Sequence, residues 1–213
     1  MENDFSDDVK LDAIIDRLKQ FIGAKPENPT AHYNLGLAFL RKGLLEDAAF
    51  AFQVALELDP SMVEARINLG GLYLRQQKLE EAIAENEKAL AQNPRIVQAY
   101  NNIGFARMLE DRLEEAEEAF AQALALQPGL LPARLSLARI AEQRGDLPRV
   151  MALYQEILEQ EPGFALGHYN LAQAYFQLGE PALALKAFQE AERLGYPVDP
   201  AVKGEIEAAC LRR

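Results

Sequence analysis

Residues 34–60 read NLGLAFLRKGLLEDAAFAFQVALELDP, and the spacing of their apolar side chains decides the fold. Leu35, Ala38 and Phe39 recur at steps of three and four, and Ala48, Ala51, Phe52 and Ala55 do so again after an interruption. That is the period of a helix, met twice. Gly43 stands at the interruption, where a helix ends in the left-handed region, and Pro60 closes the second stretch. Small residues such as Gly36 and Ala48 let two helix axes approach closely, and the large apolar side chains fill the space beside them.

The same pattern returns along the chain. Pro26, Pro60, Pro94, Pro128 and Pro162 are 34 residues apart, and so are Leu35, Leu69, Ile103, Leu137 and Leu171. Gly36, Gly70 and Gly104 continue as Ala138 and Ala172, while Phe52, Phe120, Tyr154 and Phe188 share a column with Asn86. The Gly43 column continues as Gln77, Asp111, Gly145 and Gly179, with Pro148 and Pro181 just beyond, at first helical turns that tolerate proline. Five two-helix repeats follow: 29–62, 63–96, 97–130, 131–164 and 165–198. Residues 1–28 supply an acidic start and a capping helix over 6–23, with Leu11, Ile14, Ile15, Leu18, Phe21 and Ile22 on one stripe and Ser6 as N-cap. Residues 199–213 supply a last helix opened by Pro200, with Val202, Ile206, Ala209 and Cys210 on one face and Lys203, Glu205 and Glu207 facing out. The total is twelve antiparallel helices, stabilised by neighbouring interfaces.

These columns resemble the tetratricopeptide repeat, with its 34-residue period and its Leu-Gly, Tyr, Ala, Phe and Pro positions. The resemblance covers residues 29–198. It implies an all-α solenoid of helix pairs in a right-handed superhelix, and a protein-binding scaffold rather than an enzyme. The family's aromatic slot near the start of each unit holds His32, Arg66, Tyr100, Arg134 and His168 here. The two histidines are too far apart in the array to share a metal and are read as packing residues. Asn86 and Arg107 replace expected aromatics near one junction, which predicts a looser or wetter boundary between repeats 2 and 3.

Composition narrows the function further. The 213 residues carry 33 acidic and 22 basic side chains, for a net charge of −11. Such a surface repels phosphate backbones, and no basic stripe offsets it, so nucleic acid is not an expected partner. No apolar run reaches the ~18 residues of a membrane helix. Residues 1–10 are acidic where a secretory signal would be basic and then apolar, so the expected location is cytoplasmic. One cysteine, Cys210, allows no internal disulfide. Phosphate loops, GxGxxG, HExxH and CxxC motifs are absent, so no catalysis, metal or cofactor is expected. The Glu-rich second helices, with Glu80, Glu81, Glu114 and Glu115 among them, are read as solvated faces.

The resemblance places the binding surface on the first helices of successive repeats, which line a concave groove. Asn34, Asn68, Asn102 and Asn170 recur there, interrupted by Ser136. An amide side chain donates and accepts, so such a column can hold a peptide main chain, or else satisfy its own neighbours. Around it the groove slots hold Tyr33, Leu37, Leu40, Ile67, Leu74, Phe105, Met108, Leu109, Leu135, Tyr169 and Phe176, punctuated by Arg41, Arg75 and Arg139. An apolar, extended partner segment with an acidic residue or a carboxylate suits this set. Relatives that receive chaperone tails use a two-carboxylate clamp, whose slots here are Tyr33 and Leu37, Asn68, then Gln98 and Asn102. Only Asn68 fits, so no affinity for such tails is expected. The alternative is a homo-oligomeric scaffold in which a terminal helix docks on another copy.

Overall fold

The computed structural model describes residues 2–211, with side chains from residue 10 onward. Those residues form twelve helices: α1 Glu2–Ala24, α2 Pro29–Arg41, α3 Leu45–Leu58, α4 Val63–Arg75, α5 Leu79–Gln92, α6 Val97–Leu109, α7 Leu113–Leu126, α8 Leu131–Gln143, α9 Leu147–Gln160, α10 Ala165–Gln177, α11 Pro181–Arg193 and α12 Pro200–Leu211. The fold class is an all-α solenoid of helix pairs. The chain forms two compact units, one ending at Ala119 and the other beginning at Phe120, so the division falls inside α7.

Each helix is made locally. Asn28 Oδ1 accepts from the amide of Ala31 at 2.9 Å, and Pro29 follows as the first residue of α2. The turn between the two helices of a repeat passes through one residue at positive φ: Gly43 at 77°, Gln77 at 57°, Asp111 at 59°, Gly145 at 67° and Gly179 at 76°. The column read from the sequence as the break is therefore conformationally uniform, although only three of its five members are glycine. The second helices stop at Leu58, Gln92, Leu126 and Gln160, two residues ahead of the period prolines.

A second repeated device fixes four of the five first helices to the turn before them. His32 Nε2 meets the carbonyl of Pro26 at 2.9 Å, and His168 Nε2 meets that of Pro162 at 2.9 Å. Arg66 donates to the carbonyl of Pro60 at 2.8 Å, and Arg134 to that of Pro128 at 2.6 Å. Histidine or arginine fills the slot in these four repeats, and Tyr100 holds it in repeat 3. The histidines are thus structural clasps.

In the N-terminal unit, Phe52 is wholly buried and its ring lies where Gly36 leaves room, since a Cβ on Gly36 would fall 2.6 Å from Cε1. Ile15 of α1 joins this core with Leu35, Phe39 and Leu72, and Leu18 and Ile22 pack at its edge. One repeat later Asn86 takes the position of Phe52, and its amide lies against Gly70 in the same manner. In the C-terminal unit, Phe188 and Ile206 are wholly buried beside Ala172, Ala184 and Ala187.

Four readings need correction. The first helix begins at Glu2, so Ser6 lies within it and is not its N-cap. Asn86 does not loosen the junction of repeats 2 and 3: it is fully buried and paired, donating to the carbonyl of Ala82 at 2.7 Å and accepting from Asn102 at 3.1 Å. Arg107 turns instead to Glu110 at 2.9 Å and Glu115 at 3.4 Å. Lys203 of α12 does not simply face out; it is half-buried and pairs with Glu192 of α11 at 2.8 Å.

Candidate functional site

One opening in the N-terminal unit lies between α1 and α2. It has a volume of about 560 Å³ and is lined by Leu11, Ile14, Arg17, Leu18 and Phe21 from α1 and by Asn34, Leu37, Ala38 and Arg41 from α2. Each set is spaced at steps of three and four, so each is one stripe of one helix, and the two stripes form the two walls. Ile14 and Phe21 stay 45% and 43% exposed, which is high for side chains of their size. Lys25 lies over the Phe21 ring, 5.6 Å from its centroid.

Of the groove residues read from the sequence, this opening gathers Asn34, Leu37 and Arg41. Tyr33, Ile67, Asn68, Leu74, Asn102, Phe105 and Met108, also in this unit, are half-buried, and Arg75 is exposed. The apolar members are sunk deeper than expected. Tyr33 and Leu37 pack on the first core and Ile67 on a cluster of Ala89, Ile96 and Ala99. Leu109 is the exception at 58% exposed. The sequence reading places Leu11, Ile14 and Phe21 on the stripe of a capping helix and does not single out Arg17. A cap helix needs apolar residues on the face that meets α2, and the exposure of Ile14 and Phe21 shows that the stripe extends beyond that face.

The asparagine column does two things. Asn68 donates to Tyr33 Oη at 3.2 Å, Asn102 to Asn86 Oδ1 at 3.1 Å and Asn170 to Tyr154 Oη at 2.6 Å. Each therefore ties a first helix to a residue of the preceding repeat, leaving a carbonyl oxygen and a second N–H in hand. Asn34 differs: it is exposed and its side chain has no hydrogen-bond partner among the described residues.

In the C-terminal unit, Asn170 belongs to a polar opening of about 240 Å³ shared with Glu142, Gln173 and Gln177. Tyr154 Oη donates to Glu142 at 2.9 Å while accepting from Asn170, and burial pushes its phenol well above the ordinary value. Tyr169 stacks its edge against Phe188 with centroids 5.3 Å apart, and lies 4.6 Å from the Tyr196 ring. Phe176 packs on the same core, and Arg139 is exposed. Among the described residues, no three His, Cys, Asp or Glu side chains gather as metal ligands, and no helix is long and apolar enough to cross a membrane.

Comparison with known proteins accords with this architecture. The family model described as tetratricopeptide repeat matches residues 15–63, 51–95, 67–130 and 111–160, and a second of the same description matches 165–195. The crystal structure of MamA is 25% identical with a TM-score of 0.70, over 75% of this chain and 94% of that one. The structure of YrrB, described as a repeat protein with an unusual peptide-binding site, is 21% identical with a TM-score of 0.70, over 90% and 97%. The first repeat domain of Spaghetti, bound to an HSP90 peptide, is 24% identical with a TM-score of 0.53, over 55% and 93%. No curated protein matches. With family matches running through nearly all its repeats, the chain belongs to the tetratricopeptide repeat family.

Proposed function

We propose that the chain is a non-catalytic scaffold that binds an extended apolar segment of a partner protein along its first helices. The observation that carries this is the opening between α1 and α2, where Ile14, Phe21 and Leu37 present apolar surface beside an unpartnered asparagine. At about 560 Å³ it lies within the ~300–1,000 Å³ of ligand sites. The two related structures with peptide-binding descriptions support the reading. Tyr33, Asn68, Leu74, Arg75, Asn102, Phe105 and Met108 extend the surface within the same unit, and Arg139, Tyr169, Asn170 and Phe176 form the second set.

The test is retention of a library of apolar dodecapeptides on the immobilised protein. Retention is expected, and it should fall at least tenfold in the Ile14→Glu/Phe21→Glu double variant, whose circular dichroism should be unchanged because both side chains are exposed. Equal retention by the wild type and the variant would exclude this opening as the binding surface.

The homo-oligomeric reading rests on the same two exposed side chains. Ile15 is buried against the chain's own core, with Leu18 and Ile22 packed at its edge, so α1 is already engaged at home. Light scattering across a concentration series is expected to give the mass of a monomer. An oligomer that disappears on removal of residues 1–23 would establish self-assembly instead.

A further inference from the structure

The opening between α1 and α2 has a feature that apolar binding alone does not require. The chain has 33 acidic and 22 basic side chains, and five cations of its N-terminal unit are held by carboxylates. In the N-terminal unit Arg66 and Lys88 meet Glu85, Arg107 and Arg112 meet Glu110 and Glu115, and Lys42 meets Asp12. Arg17 and Arg41, like Arg75 and Arg95, are not so held, and unlike those two they line the opening. Both are exposed, both line the opening from opposite walls, and neither has a carboxylate partner among the described residues. Lys25, over the Phe21 ring, adds a third cation at its edge. The acidic residues nearest in sequence, Asp12 and Asp16, lie off the α1 stripe that forms the wall, and Asp12 is held by Lys42.

Two guanidiniums left open over apolar side chains, in an otherwise acid-rich molecule, match one ligand chemistry. An aspartate or glutamate accepts from guanidinium N–H groups through both oxygens, and the bond strengthens where apolar walls exclude water. Asn34, two turns from Arg41 on the α2 wall, can serve the ligand main chain with both of its polar functions. We propose that this opening reads a side-chain carboxylate on the apolar segment of a partner protein, with Arg17 and Arg41 as the reading pair and Phe21, Ile14 and Leu37 as the anchor surface. The proposal rests on the peptide-binding reading above and adds the chemistry of the ligand. The site is distinct from the clamp slots for chaperone tails, of which this chain matches only Asn68.

The experiment uses two sets of C-terminally amidated apolar dodecapeptides, one carrying a single Glu at each position in turn and the other Gln in its place. Amidation leaves the introduced side chain as the only carboxylate. The Glu set should be retained about tenfold more strongly than the Gln set, the preference should shrink as salt is raised, and the Arg17→Gln/Arg41→Gln variant should lose it while still retaining the Gln set. Equal retention of both sets by the wild type would overturn the carboxylate assignment and leave the apolar groove standing. Failure to retain either set would overturn both. Concentration-dependent dimerisation that the double arginine variant abolishes would put a second copy in the opening and overturn the assignment to a partner.

Discussion

Gln77 holds φ at 57°, in the region where a side chain crowds its own backbone, and it does so at the turn where repeats 1, 4 and 5 have glycine. The position is exposed, so nothing in its packing requires glutamine. Gln77→Gly is expected to raise stability by about 0.5–1 kcal/mol, the relief of strain being partly offset by the entropy of glycine in the unfolded chain. A urea melt should show a higher midpoint with an unchanged slope. Gly36 makes the opposite case. Phe52 is wholly buried and would be 2.6 Å from a new Cβ, so Gly36→Ala is expected to cost about 1–3 kcal/mol in the same measurement.

At the scale of the element, Asn86 shows where sequence reasoning reached and where it stopped. Its place in an aromatic column was legible, and so was the glycine facing that column. Its pairing with Asn102 and with the carbonyl of Ala82 was not, because the partner lies on the next helix and hydrogen bonds leave no periodic trace. Polar substitution predicted looseness; full satisfaction gives a bonded link between α5 and α6. Asn86→Leu is expected to cost about 1–3 kcal/mol, since it leaves Asn102 without its acceptor. Adding Asn102→Leu should cost less than the sum of the two single changes, and a double-mutant cycle by urea denaturation would measure that coupling. The clasps to Pro26, Pro60, Pro128 and Pro162 were hidden for a related reason. Histidine and arginine have no common hydropathy, only a common ability to donate over the same reach.

For the whole molecule, helix number and repeat frame were readable because apolar periodicity and the proline step are properties of the chain itself. The opening between α1 and α2 was only half readable. Its α2 wall follows the repeat, whereas its α1 wall belongs to a helix outside the repeat, whose facing no column predicts. Stability in such an array depends on adjacent interfaces, so damage should stay local. Ile206 is wholly buried in the C-terminal unit beside Phe188. Ile206→Ala is expected to cost about 2–5 kcal/mol there. Hydrogen exchange should report the loss as faster exchange in α11 and α12 with α2 and α3 unchanged, and uniform acceleration along the chain would contradict local stabilisation.

The five turns at positive φ have one more consequence. A mirror-image amino acid prefers that half of conformational space as strongly as an ordinary one avoids it. In a chemically assembled version of this chain, D-alanine at 43, 77, 111, 145 and 179 would meet the backbone the fold already demands. The left-handed column is therefore a register of sites where inverted chirality would be native geometry.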